Sequence, residues 1–207
     1  MAHPKRFETK DQSIHRLQEG ISFGDGAEYT VLEYQKMACE WSQEWKDKHY
    51  SSAPCAPKRE GVPPASGNGA TKPKMTPENL ERDYWDIVET QQQAIDVDYG
   101  NDVDTSEWGS GFPISARGRS VASPTFQAEP PGEEPPEPAF GTEDFYRETY
   151  WNLNNIPNSR NSVLRHLKVG INGINVPWLY FGCLFSTFCW HNEDNYMYSI
   201  NYHHRGT

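Results

Sequence analysis

The sequence predicts an α+β fold in which two amphipathic helices precede a group of antiparallel strands. Two segments with helical spacing of apolar residues begin at favourable capping positions, Thr30 and Thr76. Residues 174–190 form an almost unbroken apolar run, rich in β-branched and aromatic residues and interrupted by Gly and Pro, which favours strands. Stretches rich in Pro, Gly and polar residues separate these segments and are typical of disordered linkers.

Composition limits the classes of function. Hydrophobic residues make up 35% of the 207 residues, so a compact core must come from part of the chain. The net charge of −10 argues against direct nucleic-acid binding, which needs clustered Lys and Arg, and would attract a basic partner. Solubility alone also explains the charge. The apolar run at 174–190 is too short for a membrane span and contains polar residues and proline, so no membrane association is expected.

The chain is predicted to have four parts. Charged, aperiodic sequence at 1–27 predicts a loose lead-in, and 28–50 a helix that starts with a Thr30 and Glu33 capping box. Residues 51–75 have the composition of a disordered linker. The main folded part is predicted at 76–207, with an acidic, Pro-rich insertion at 115–144.

Within the main part, helical spacing continues from Thr76 through a buried stripe of Leu80, Tyr84, Ile87 and Val88. Alternating residues at 95–99 predict a strand that ends at Gly100, followed by a tight Gly-Ser-Gly turn at 109–111. Residues 176–202 are expected to supply three or more strands of an antiparallel barrel or sandwich.

A candidate metal site follows the apolar run. In a strand, side chains at i and i+2 share a face, so His191 and Glu193 would point the same way. A neutral imidazole and a carboxylate are two of the three ligands in the facial triad of non-haem Fe(II) oxygenases. The spacing alone is common by chance and also fits two surface residues. A continuous strand would put His203 roughly 40 Å away, and the histidines upstream (His15, His49 and His166) lie in loop or helical sequence, so no third ligand is evident.

Several ordered motifs resemble the JmjC (jumonji) histone lysine demethylases, and most closely the subfamily that acts on lysine 4 of histone H3. The resemblance extends over roughly half of the chain. The motifs that carry it are Leu80-Glu81-Arg82-Asp83-Tyr84-Trp85, Val97-Asp98-Tyr99-Gly100-Asn101-Asp102, Gly109-Ser110-Gly111-Phe112-Pro113, Trp151-Asn152-Leu153-Asn154-Asn155-Ile156-Pro157, Val176-Pro177-Trp178-Leu179-Tyr180, Phe188-Cys189-Trp190-His191-Asn192-Glu193-Asp194 and Tyr198-Ser199-Ile200-Asn201-Tyr202.

The resemblance implies the N-terminal part of a JmjC-type double-stranded β-helix (a cupin or jelly-roll fold), with Fe(II) as cofactor and 2-oxoglutarate and O₂ as cosubstrates. It implies that His191 and Glu193 bind the iron. It also implies that Phe188, Ser199 and Asn201 border the 2-oxoglutarate, and that Tyr99 and Tyr180 line the methyl-lysine side. The implied partners are the methylated histone H3 tail and chromatin, in the nucleus.

The chain also departs from the family. The lysine that pairs with 2-oxoglutarate and the third iron ligand come after the position of Thr207 in the family pattern, so we expect a truncated fragment that is inactive alone. The alternative is a non-catalytic, chromatin-associated or dimerising fragment that keeps part of the fold. A cupin-like protein of unrelated function would fit the strand pattern but not the ordered motifs.

Overall fold

The computed structural model of the chain describes residues 5–20, 23–51, 72–114, 138–159 and 161–206. The predicted linker and the acidic insertion fall mostly outside these residues, at 52–71 and 115–137. Four strands and four α-helices are described: β1 (Phe7–Ser13), β2 (Gly24–Tyr29), α1 (Val31–His49), α2 (Pro77–Thr90), β3 (Asp96–Asp104), α3 (Thr105–Trp108), α4 (Glu143–Glu148) and β4 (Trp178–Phe181). Short 3-10 helices lie at Ile14–Glu19, Ile156–Asn158, Val163–His166 and Asp194–Tyr196.

The strands form one sheet in the order β2-β1-β3-β4. Strand β1 is antiparallel to both of its neighbours, with Phe7 opposite Tyr29 on β2 and Lys10 opposite Tyr99 on β3. The prediction of a loose lead-in at 1–27 is therefore wrong, since β1 lies inside the sheet. Its residues Thr9 and Gln12 are buried, at 2% and 0% exposure, although both are polar. The sequence of β1 therefore lacks the alternation of apolar and polar residues by which a half-buried strand is normally recognised.

The two predicted helices are confirmed as α1 and α2, because their start signals are local. The backbone N–H of Glu33 donates to Thr30 Oγ1 at 3.2 Å, and the Thr30 N–H donates to Glu33 Oε2 at 2.8 Å, which completes the capping box. Thr76 caps α2 by accepting from the Asn79 N–H, and Pro77 occupies the first turn. Each such cap stabilises a helix by about 1 kcal/mol.

The chain divides into two compact units. The first comprises Met1–Gly100 with Phe181–Trp190, and the second comprises Asn101–Tyr180 with His191–Thr207. The first contains the hydrophobic core, formed by Ile14, Trp45, Tyr50, Ile87, Val88, Ile95, Val97 and Phe185. The buried stripe predicted for α2 is confirmed, because Ile87 and Val88 lie in this core and Leu80 and Tyr84 pack against it.

The second unit relies on buried polar residues. Asn152, Asn155 and Asn175 are 1%, 7% and 3% exposed, and their side chains hydrogen-bond to backbone groups of nearby loops. The strand predicted to end at Gly100 continues as β3 to Asp104. Of the three or more strands predicted at 176–202, the structure has only β4 within the residues it describes. The expectation of strands at 182–202 is thus wrong, because strand-forming composition produces a strand only where a neighbouring strand pairs with it.

Candidate metal centre

His191 and Glu193 lie close together in the second unit. His191 Nε2 is 3.5 Å from Glu193 Oε1, and their side chains are 47% and 34% exposed. The segment is not a paired strand, so that premise of the prediction is wrong. The backbone at Glu193 is nevertheless extended, with φ −68° and ψ 152°. The two side chains approach each other across a single intervening residue, and their role as metal ligands stays a prediction.

A sharp turn follows Glu193 immediately. Asn195 and Tyr196 both have positive φ, at 55° and 53°, and the Tyr196 N–H donates to the Glu193 carbonyl at 2.9 Å. Asn tolerates this left-handed conformation, whereas for Tyr it costs about 1–2 kcal/mol. Strain of this kind is often found at functional sites. Nothing in the sequence predicted a turn at this position.

The pair fits part of a metal coordination sphere. Two ligands about 2.1 Å from one ion, at right angles to each other, would lie about 3 Å apart, so a small side-chain adjustment from 3.5 Å suffices. Imidazole and carboxylate are the donor types of the Fe(II) facial triad. No group of three or more His, Cys, Asp or Glu side chains with metal-binding geometry exists among the described residues. The pair therefore fits two of three protein ligands, and His203 does not complete it.

The other predicted site residues divide between the units. Ser199 and Asn201 belong to the second unit and are exposed. Phe188 and Tyr99 belong to the first, where Phe188 is 49% exposed and Tyr99 only 8%. Tyr180 belongs to the second unit, and its hydroxyl donates to Asp102 Oδ1 at 3.1 Å. Its exposure of 37% leaves the ring accessible.

The second unit contains an aromatic cluster that was not predicted from the sequence. The rings of Phe112, Tyr202 and His204 lie 4.7–4.9 Å apart, and His204 Nε2 lies 2.9 Å from the Ser110 carbonyl oxygen. Gly111 has φ +78°, and a Cβ at this position would come within 2.7 Å of His204 Nε2. The Gly-Ser-Gly motif is thus the predicted tight turn, and Gly111 is needed for both its conformation and its closeness to the imidazole.

The segment that precedes His191 in the chain is fixed within the first unit. The Tyr34 hydroxyl donates to the Phe181 carbonyl at 2.8 Å, and Trp41 Nε1 donates to the Leu184 carbonyl at 3.0 Å. Gln12 pairs with the Thr187 backbone in both directions, at 2.8 and 2.9 Å. Because 175 residues separate this last pair, no local signal in the sequence could reveal it.

Comparison with known proteins identifies a family that one segment of the chain is similar to. Residues 178–207, which include both His191 and Glu193, match a family model described as "JmjC domain, hydroxylase". The resemblance to JmjC proteins found from the motifs is therefore confirmed, and the match to the family model extends over residues 178–207.

Individual relatives are lysine demethylases. The chain is 35% identical over 190 residues to Lysine-specific demethylase JMJ703 of Oryza sativa subsp. japonica, a match that covers 91% of this chain and 12% of that protein. It is 43% identical over 128 residues to Lysine-specific demethylase JMJ17 of Arabidopsis thaliana (61% of this chain, 9% of that protein). It is 41% identical over 133 residues to Lysine-specific demethylase 5B of Gallus gallus (64% and 8%). The chain thus spans about an eighth or less of the length of these curated relatives. In the described residues, no helix is long and apolar enough to cross a membrane.

Proposed function

We propose that this chain supplies the first two iron ligands, His191 and Glu193, of an Fe(II)- and 2-oxoglutarate-dependent histone lysine demethylase. The observation that carries the proposal is the 3.5 Å approach of the two side chains within the segment that matches the JmjC family. Bound iron would supply the activation of O₂ for hydroxylation of an N-methyl carbon. The chain's own residues would orient the metal, the cosubstrate and the methylated lysine.

The neighbouring residues have roles that follow from the family resemblance. Phe188, Ser199 and Asn201 would contact 2-oxoglutarate, the first through its ring and the other two through polar side chains suited to a dicarboxylate. Tyr99 and Tyr180 would line the path of the methylated side chain. The exposure of Tyr180, Ser199 and Asn201 supports access to ligands.

The proposed substrate is the histone H3 tail methylated at lysine 4, bound on chromatin in the nucleus. Two features support it. The relatives are named lysine-specific demethylases, and the net charge of −10 favours a basic peptide over the phosphate backbone of DNA.

We further propose that these 207 residues alone have little or no activity. Two protein donors hold a metal less firmly than three, and no third donor joins the pair among the described residues. The same observation favours the second candidate function, a non-catalytic chromatin-associated or dimerising segment. Iron binding that depends on His191 would favour the first candidate, and concentration-dependent dimerisation without iron binding would favour the second.

The test is formaldehyde release from a histone H3 peptide trimethylated at lysine 4, with Fe(II), 2-oxoglutarate and O₂. We expect near-background turnover from the chain, together with iron binding that His191→Ala weakens. His166→Ala is the matched control, because it removes an exposed histidine of the same unit. Turnover abolished by His191→Ala alone would overturn the inactivity proposal and support the ligand role. Iron binding unaffected by His191→Ala would contradict the proposed function.

A further inference from the structure

We propose that Asp102 is a positioning residue, which fixes the Tyr180 hydroxyl so that the phenol can face a methylated ammonium group. The proposal rests on the function proposed above, which gives Tyr180 its place beside the methyl-lysine. It adds a residue whose effect on substrate recognition would pass entirely through Tyr180.

The Asp102 carboxylate is held at both oxygens. Oδ1 accepts from the Tyr180 hydroxyl at 3.1 Å, and Oδ2 accepts from Asn101 Nδ2 at 3.0 Å. A carboxylate held on one side by an amide cannot rotate freely, so its other oxygen fixes the direction of the Tyr180 O–H bond. Donation to a carboxylate also increases the negative charge on the phenol oxygen, because hydrogen bonds to ionised groups polarise the donor.

The backbone at Asp102 is an independent sign of a special role. It has φ +53° within strand β3, whereas strand residues normally have strongly negative φ. Left-handed backbone at a residue other than Gly carries a cost and is found preferentially at functional sites. Asp and Asn are the side chains that best tolerate it. The positive φ therefore gives the Asp102 carboxylate a direction that a regular strand residue would not have, and in this direction it accepts the hydrogen bond from Tyr180.

The chemistry suits a methylated ammonium ion. Its positive charge is spread over the N-methyl groups, which donate only weak C–H hydrogen bonds, so an electron-rich oxygen and an aromatic face are its natural partners. Tyr180 offers both, and it is 37% exposed.

The test compares two histone H3 peptides, one trimethylated at lysine 4 and one with a neutral tert-butyl carbon in place of the trimethylammonium. The ratio of their dissociation constants, measured by calorimetry on the 207-residue chain, reports recognition of the cation. We expect Asp102→Gly to reduce the ratio about five-fold, the scale of one solvent-accessible hydrogen bond. Glycine accepts the positive φ without strain, so the effect is not one of folding.

Two comparisons separate positioning from general charge. Tyr180→Phe should reduce the ratio as much as Asp102→Gly does, and the double variant should lose no more than either single one. Asp102→Asn, which keeps an acceptor and tolerates the backbone, should retain most of the ratio. Asp104→Asn is the matched control, because it removes a charge from the same strand and still caps α3 at Ser106.

A wild-type chain that does not distinguish the two peptides would overturn this inference, whereas the proposed function would be overturned separately by iron binding that His191→Ala leaves unaffected. A wild-type preference that Asp102→Gly leaves intact would overturn the inference alone. Equal losses in Asp102→Gly and Asp104→Asn, or an additive double variant, would also overturn it, because Asp102 would then act through its charge and not through Tyr180.

Discussion

Each of the two units of the chain is stabilised internally by a different kind of interaction. Among the residues that the structure describes, the eight that form the hydrophobic core all lie in the first unit. In the described part of the second unit, Val103 and Pro157 are the buried apolar residues, and large apolar side chains such as Trp151, Tyr196 and Tyr198 are exposed. The second unit depends instead on asparagine side chains that bind loop backbone.

The difference indicates which unit is the more stable and which one contains the candidate metal pair. Apolar burial stabilises by about 1.5–3 kcal/mol for each large side chain, whereas a single hydrogen bond contributes about 1 kcal/mol net. The first unit is therefore expected to be the more stable. The candidate metal pair lies in the second unit, where the exposed backbone and few buried apolar contacts are typical of segments that adjust to ligands.

The largest effect is expected from removing core volume in the first unit. Ile14, which directly follows β1, is 0% exposed. Ile14→Ala should lower the free energy of unfolding by about 2–5 kcal/mol, from lost transfer energy and the cavity left behind. Urea unfolding followed by tryptophan fluorescence measures it. Ile114→Ala makes the same change at a site in the second unit that is 67% exposed, and it should cost less than about 1 kcal/mol. Equal costs would refute the assignment of the core to the first unit.

A smaller effect is expected from the asparagine network. Asn152 Nδ2 donates to the carbonyls of Pro113 and Tyr146, and its Oδ1 accepts from the Asn154 N–H. Asn152→Ala should destabilise the second unit by roughly 2–3 kcal/mol, because buried backbone groups lose their partner.

Hydrogen exchange detects this loss as faster exchange in the loops around 146–158. Asn158→Ala is the control, since its side chain makes only a 3.4 Å bond to the Asn154 carbonyl. Unchanged protection in Asn152→Ala would mean that something other than the asparagine supports these loops.

The smallest effect is a dependence on pH in the first unit. Burial, together with a 2.6 Å hydrogen bond to Asp98, raises the pKa of Tyr29 to about 12. Because the folded pKa lies above the unfolded value of about 10, this stabilisation is full below pH 10 and is lost as pH rises through 12. Tyr29→Phe should abolish this part of the pH dependence of unfolding, whereas Tyr146→Phe, which removes a hydroxyl in the second unit, should not. The same slope in both variants would contradict the assignment to Tyr29.

The features that the sequence predicted are those with local causes. The Thr30 capping box, the Thr76-Pro77 helix start and the apolar stripe of α2 each depend on residues a few positions apart. The closeness of His191 and Glu193 also has a local cause, because only one residue separates them, while their role as metal ligands stays a prediction. The turn of the Gly-Ser-Gly motif was likewise read correctly.

The features that the sequence did not reveal depend on distant partners. Strand β1 is polar, and Gln12 is buried because Thr187 satisfies its amide across 175 residues. The aromatic block at 176–202 has strand-forming composition, but only Trp178–Phe181 pairs in the sheet. The Asp102 contact with Tyr180 joins residues 78 apart and needs a left-handed backbone that composition does not indicate.

The central claim, that His191 and Glu193 bind one metal ion, is tested most directly by adding Mn(II), a paramagnetic substitute for Fe(II), to the isotope-labelled chain. We expect selective NMR line broadening around residues 189–195 in the wild type and in His166→Ala. In His191→Ala and Glu193→Gln, at least ten-fold more Mn(II) should be needed for the same broadening. Broadening centred elsewhere, or unchanged in both ligand variants, would contradict it.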